Sequence, residues 1–328
     1  MAEEEPSSLV SIAKSQRIPA KEFEKQYKEQ LSGFREWNQK DHAEKWLLFQ
    51  DNLGEKLSID ETAISNGELY TIVTNKAAHG KKQALVLTAE GTKTSEIIKV
   101  LEKIPQESRK TVKEVTLDMS NAMEVIIRSV FPQATIVTDR FHVQQLVNEA
   151  VQEIRMALRR DALKEDNEQI KLCRKEKRIY QPLMFKNGDS KKQLLARSYH
   201  LLFKPESKWT VRQTERAAIL FREFPEVKIA YELSMMFRAC YEHSRSILEA
   251  KVNFQKWYQK VEEKQIEQFL IVAETIRLHE TTILNYFVNR STNASAESFN
   301  AKLKGFRTLV RGVRDKKFFL FRVAKLFG

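Results

Sequence analysis

The stretch that most constrains this chain is KLSIDET, residues 56–62. Leu57 and Ile59 alternate with Ser58 and Asp60, the period-two pattern of a half-buried strand, so a carboxylate is set among groups that seek a core. A lone acid near a strand end is ordinarily a cap or a turn residue, and buried acids are rare unless paired or metal-bound. Asp60 has company, however. Asp118 ends a second apolar run, VKEVTLD, and Glu297 opens a late helix with a basic face.

The runs 69–75 (LYTIVTN) and 83–89 (QALVLTA) follow the first, with turn signals at Asn66-Gly67 and His79-Gly80, and together the three predict an antiparallel meander. Upstream, Phe23, Tyr27, Leu31, Phe34 and Trp37 recur at helical spacing within residues 21–48, while residues 1–15 read as mobile. After Gly91 the period changes. A helix over 95–104, a strand over 112–118, a helix capped by Ser120-Asn121 and running through Phe131, a strand over 135–139 and a helix over 142–158 are predicted. Three strands followed by strand–helix alternation match an α/β, ribonuclease-H-like mixed sheet. From about residue 159 to 287 strand signals vanish, and apolar clusters in Lys- and Glu-rich sequence predict amphipathic helices with breaks near Gly188, Pro205 and Pro225. The expected organisation is a tail with short helices (1–55), the first part of the core (56–160), an all-helical insertion (161–286), and a last core helix with a basic C-terminus (287–328).

Composition narrows the partners. Lys and Arg total 56 against 44 for Asp and Glu, a net +12, which favours a polyanion, with an anionic membrane surface as the competitor. No stretch approaches the roughly 20 apolar residues that span a bilayer. Cys173 and Cys240 are far apart and lack metal-ligand spacing, so neither a zinc site nor a disulfide framework is expected, and a cytosolic, reducing location is. No G-x-x-x-x-G-K-[ST] loop occurs, so ATP-driven chemistry is not expected.

Asp60 and Asp118 fall on strands that neighbour each other in this topology, and Mg²⁺ typically takes one or two carboxylates plus substrate phosphates. Asp118 also reads as a helix cap. With Asn293 as cap, residues 294–311 form a helix whose Phe299, Leu303, Phe306 and Val310 make one face; Glu297, Asn300, Lys304 and Arg311 fall opposite. A solvated charged face is the plainer alternative for that pattern and carries more weight by geometry alone. Arg307 and Arg314 raise the positive charge downstream, so Asn300, Lys304, Arg307, Arg311 and Arg314 are the expected contacts to a polyanion. Asp139 is the rival for second acid, or a partner of Arg140. Glu61 points away from Asp60 and reads as structural, and His79 as a loop residue. Trp209 and Trp257 read as core rather than as base-stacking platforms.

Taken together, SIDETAI (58–64), VTLDMSNAM (115–123), FPQATIVTDRFHVQQLVN (131–148) and STNASAESFNAKLKGFRTLVRG (291–312) resemble the catalytic half of bacterial insertion-sequence DDE transposases of the ISL-three family. The resemblance runs from about residue 57 to the C-terminus. It implies that Asp60, Asp118 and Glu297 are a catalytic, metal-binding triad for two Mg²⁺ ions, with Mn²⁺ as substitute, and that His142 occupies a signature position, packed or catalytic. It implies metal-dependent DNA strand cleavage and strand transfer at insertion-sequence ends. The implied partners are double-stranded DNA with terminal inverted repeats, target DNA and, through synapsis, a second copy in a homodimer, without membrane, in the bacterial cytoplasm at the nucleoid. Fuller members carry an upstream zinc-binding and helix-turn-helix region. Residues 1–55 here lack Cys ligands, so either a separate N-terminal DNA-recognition polypeptide supplies recognition of the element ends or this chain is one part of a split transposase. The alternatives are a ribonuclease-H-like nuclease that cleaves without joining, and a catalytically inactive DNA-binding protein.

Overall fold

The computed structural model describes residues 4–65, 67–310 and 312–328, which form two compact units, Met1–Asp139 with Asn289–Gly328 and Arg140–Val288. Asn66 of the expected turn and Arg311 of the expected DNA face lie outside the described residues.

Along the first unit, α1 (Leu9–Ser15) and α2 (Ala20–Gln26) precede β1 (Trp46–Leu48), β2 (Lys56–Ser65), β3 (Glu68–Asn75) and β4 (Leu85–Glu90). Then come α3 (Thr94–Leu101), α4 (Gln106–Arg109), β5 (Glu114–Leu117), α5 (Asn121–Val130) and β6 (Thr135–Thr138). The intervening helices are α6 (Arg140–Lys175), α7 (Lys191–Arg197), α8 (Val211–Glu223), α9 (Pro225–His243), α10 (Ile247–Lys264), α11 (Glu267–Leu278), α12 (Glu280–Leu284) and α13 (Tyr286–Asn289). The first unit closes with α14 (Ala294–Leu309) and α15 (Lys316–Phe327).

The six strands lie in the order β1-β4-β3-β2-β5-β6. The β1–β4, β4–β3 and β3–β2 pairs are antiparallel, whereas β2–β5 and β5–β6 are parallel. Tight turns can join only the antiparallel part, and His79 and Gly80 supply one with positive φ of 51° and 66°. The parallel strands need crossovers, which α3 with α4, and then α5, provide. Ser120 caps α5 by accepting from the Met123 amide at 3.4 Å.

Alternation along the strands assigns two faces. Leu57, Ile59, Val73, Val115 and Leu117 pack with Ile97 and Leu101 of α3 and Ile126 and Ile127 of α5. Ile64, Ile72 and Leu85 pack with Phe299, Leu303 and Phe306 of α14 and Phe319, Leu320 and Val323 of α15. Two expectations are corrected here. Trp46–Leu48, expected to be helical, is an edge strand that sets Leu47 opposite Thr88 and buries it. Within residues 1–15, read as mobile, Leu9–Ser15 is a helix capped by Ser8 that buries Leu9 and Ala13. Farther on, Tyr27 and Phe34 meet Phe318 of α15 edge-on, at 6.3 and 5.2 Å.

The second unit is helical among its described residues. α6 runs to Lys175, well past residue 158, because no Gly or Pro interrupts it. Gly188 turns with φ 74°, and Pro225 opens α9 at a position where its missing N–H costs nothing. Trp257 is fully buried, donating Nε1–H to the Leu233 carbonyl at 2.9 Å, and Trp209 donates to the Leu201 carbonyl at 2.8 Å. Both indoles are thus spent on the fold. Asp189, wholly buried, accepts from Arg197 and from Arg216 Nε at 2.9 Å. Cys240 is buried, and burial pushes its thiol up to about 12. No helix among the described residues is long and apolar enough to cross a membrane.

A polar cluster fixes where the chain re-enters the first unit. Glu114, only 4 % exposed at the start of β5, accepts from Asn289 Nδ2 at 2.5 Å and from the Ser291 hydroxyl. Lys76 donates to Thr116 Oγ1 at 2.7 Å and to Ser291, and stands 3.4 Å from Glu114 Oε1. Burial pulls the Glu114 carboxyl upward, but the Asn289 and Ser291 hydrogen bonds and the Lys76 charge outweigh it and hold the group below its usual value. Stability from such a group is present above the unfolded pKa and is lost as pH falls through the folded one. Glu114→Gln should therefore cost about 2 kcal/mol near neutrality, as a buried charge-assisted contact does. The gap between variant and wild type in thermal scans should begin to close as pH falls past the ordinary glutamate value of about 4.3 and vanish only below the lowered folded value; a gap independent of pH would attribute the loss to packing.

Candidate active site

The strand registers build a row of acids. β2 and β5 pair through Ser58 and Thr116, and carrying that register two residues onward sets Asp60 beside Asp118. β5 and β6 pair through Leu117 and Thr138, and the Asp139 amide continues the ladder onto the Leu117 carbonyl at 2.8 Å, which sets Asp118 beside Asp139. Residues in register on adjacent strands project to the same face. Asp60 pairs with Ile72 of β3, which belongs to the core beneath α14 and α15, so the row lies on the α14 side of the sheet.

α14 crosses this row. At one end the Asn293 backbone N–H donates to Asp139 Oδ1 at 3.1 Å; farther along, Asn300 Nδ2 donates to Asp60 Oδ2 at 2.8 Å. Seven helical residues rise roughly 10.5 Å and two strand spacings measure about 9.6 Å, so the same stretch of helix spans β6 to β2. Glu297 stands between Asn293 and Asn300 on the same stripe of the helix, in its first turn, where the helix dipole favours a carboxylate. It is exposed. Among the described residues no three His, Cys, Asp or Glu side chains converge closely enough to hold a metal ion. Asp60 and Asp118 therefore lie just beyond the paired part of adjacent parallel strands, and Glu297 is on the helix docked on Asp60.

The field at the row is negative. Burial, then the charges of Asp118 and Asp60, raise the Glu61 carboxyl above its usual value. Asp60 accepts from the Glu61 amide through Oδ1 at 2.8 Å. The Asn300 amide is only 7 % exposed, and its Oδ1 has no hydrogen-bond partner among the described residues. Both amide atoms of the fully buried Asn293 are likewise without one, and although Asn293 holds the N-cap position its side chain makes no capping bond. Two aspartates that both act on Glu61, with buried amide oxygens lacking donors among the described residues, are hard-oxygen groups of the type a divalent cation takes, one or two carboxylates sufficing for Mg²⁺.

The sequence-based site residues divide accordingly. Asn300, expected on the DNA side of α14, is instead buried against Asp60, because the sheet beneath offers a carboxylate where a helical wheel shows only an outward face. Arg307 is half-buried, its Nη1 donating to the Ala63 and Ile64 carbonyls of β2 at 3.3 and 3.5 Å. Lys304 and Arg314 are exposed. Asp139, 2 % exposed, anchors the start of α14. His142 lies in the second unit on the first turn of α6, half-buried and edge-on to Phe141 at 5.6 Å. The sequence analysis missed the Glu114–Lys76–Ser291 cluster. A buried Glu at a strand start opposite a Lys after a neighbouring strand was its only signal.

Comparison with known proteins adds to this geometry. The profile of the ISL-three DDE family, described as Transposase, matches residues 57–323. The chain is 22 % identical over 275 residues to a protein of Bordetella parapertussis named Transposase for insertion sequence element IS1001, covering 83 % of this chain and 61 % of that protein. The chain thus spans about three fifths of that relative's length. No solved structure matches.

If Asp139 anchors α14, removing its acceptor should loosen the helix start. Asp139→Ala is expected to cost about 2 kcal/mol, the scale of a charge-assisted hydrogen bond lost from a buried site, and to speed amide hydrogen exchange at Asn293. Asp139→Asn, which keeps an acceptor oxygen, should retain most of that protection. Equal exchange in all three proteins would remove the anchoring role.

Proposed function

Because the chain belongs to the ISL-three family of DDE transposases, we propose that it cleaves DNA at insertion-sequence ends and transfers the strands to target DNA, with Asp60, Asp118 and Glu297 as the catalytic triad. One observation carries this reading: the helix bearing Glu297 is docked on Asp60 through Asn300, on the strand β2 that pairs with β5, after which Asp118 follows. A late helix docked on the strand of the first acid is the arrangement such a triad requires. The strand order and the position of the helical segment support a ribonuclease-H-like core with residues 161–286 as an insertion.

In this mechanism Asp60, Asp118 and Glu297 would hold Mg²⁺ or Mn²⁺, two ions by the family's pattern, and when bound these would activate the attacking hydroxyl and stabilise the leaving oxygen. The protein's own share is positioning. Hydrogen bonds from the Glu61 amide and Asn300 hold the Asp60 carboxylate in one orientation. Glu297 is exposed at the helix start, outside the core face that Phe299 and Leu303 bury. Lys304, two turns beyond Glu297, and Arg314 are the exposed cations that would grip flanking phosphates. Terminal-repeat DNA, target DNA, a second copy and a separate recognition polypeptide are the partners this reading requires.

Asp60→Asn, Asp118→Asn and Glu297→Gln should each lower Mg²⁺-dependent cleavage by roughly a thousandfold or more, the several kcal/mol that cation chemistry supplies, while DNA binding persists. A pre-cleaved end with a free 3′-hydroxyl, incubated with plasmid and Mg²⁺, should yield joined product. Cleavage without joining would identify a nuclease. Cleavage insensitive to these substitutions, or none in the wild type, would leave a DNA-binding protein.

A further inference from the structure

We propose that Asn300 is a positioning residue for cation binding, acting through Asp60. Its amide has only one productive orientation. With Nδ2 toward Asp60 Oδ2 it donates across 2.8 Å; flipped, it would set an oxygen against a carboxylate, two acceptors facing each other. The burial of Asn300, 7 % exposed on the stripe of α14 that also bears Glu297, excludes the water that could otherwise replace this donor. Asp60 thus accepts on both oxygens, from the Glu61 amide on Oδ1 and from Asn300 on Oδ2. Two donors on different oxygens fix the plane of the carboxylate, which a single donor would leave free to rotate. The same contact ties the Glu297 helix to the strand that carries Asp60, so one amide sets the orientation of the first acid and the approach of the third.

Two features separate this from ordinary helix docking. α14 already has a core face in Phe299, Leu303 and Phe306, all buried, so the helix does not depend on Asn300 for its attachment. A buried Asn whose Oδ1 lacks a hydrogen-bond partner among the described residues is, for stability alone, inferior to a leucine of similar volume. The amide is explained by what it does for the carboxylate.

The inference rests on Asp60 being a cation ligand, and its test separates the two claims. Mn²⁺ alone is titrated calorimetrically into the full chain without DNA, and thermal unfolding is followed in parallel. Asn300→Leu, which keeps the volume and removes the donor, should keep or raise the thermal midpoint while weakening Mn²⁺ binding about tenfold or more, the usual effect of losing a group that orients a ligand. Asn300→Ala should lose affinity similarly. If Asp60→Asn abolishes binding while Asn300→Leu binds as the wild type does, the positioning role is overturned and the cation site stands. If the wild type takes up no Mn²⁺, or Asp60→Asn binds equally well, both fall. Should the Asn300 variants fail to fold, the wild type decides: the Asn300 side-chain NH₂ resonances should shift on addition of Mg²⁺, and their constancy would refute the proposal.

Discussion

Carboxylates set in register on adjacent parallel strands repel one another, and the first unit is arranged around that repulsion. At a strand spacing of about 4.8 Å and an effective dielectric near 20, two unit charges oppose each other by on the order of 3 kcal/mol. The protein supplies partial relief through donors that carry no charge: the Glu61 amide and Asn300 at Asp60, and the Asn293 amide at Asp139. Lys76 donates to Glu114 and Thr116 at the other end of β5, and Arg307 to the carbonyls of β2. The residual strain is felt at Glu61, whose carboxyl is raised by burial and by Asp118 and Asp60.

The other demand on this unit is to recover its last helices after a long excursion. The chain leaves the first unit after Asp139 and returns at Asn289. Were the stretch between them a flexible loop, its closure would cost on the order of 4 kcal/mol, but it folds as a unit with its own aromatic core around Trp257, Phe237 and Phe254. Re-entry is then secured by polar contacts in close succession: Asn289 and Ser291 on Glu114, and the Asn293 amide on Asp139. These lie just ahead of Glu297, so the registration of the third acid is set by buried hydrogen bonds with sharp geometry rather than by sliding apolar packing alone.

How much of this was legible in the sequence depended on the range of the physics involved. Periodicity, a local property, exposed β2 and β3, the capped α5 and the apolar face of α14, and the alternation in KLSIDET correctly put Asp60 and Leu57 on opposite faces. It failed at Trp46–Leu48, three residues too few to display a period and embedded in helical spacing. It failed also at Leu9–Ser15, where a Ser cap and two buried side chains suffice in a polar stretch. The alignment of Asp139 with Asp118 was out of reach, because it follows from the β5–β6 register, which no single segment encodes. Glu114 in VKEVTLD reads as the polar half of an alternation, and only the return of Asn289 and Ser291 from far along the chain shows that its face is buried.

α14 shows the same limit most sharply. A helical wheel divides it into an apolar and a polar half, and the polar half reads as one surface for DNA. In the folded unit that half is divided again. Asn300 and the Asn293 amide face the acid row, Arg307 is turned onto the end of β2, and Lys304 remains exposed. Basic residues on one stripe are therefore not equivalent. A guanidinium whose Nη1 is engaged by two backbone carbonyls holds the helix in place, whereas an exposed ammonium on a flexible stem can follow a phosphate. The order Glu297, Asn300, Lys304 along the helix is accordingly an order of depth relative to the sheet: an exposed acid, a buried amide on Asp60, and an exposed cation beyond it. A phosphodiester brought to the aspartates would meet negative charge at the row and positive charge two turns farther along α14, the polarity required if a cation is to share the row with the reacting phosphate.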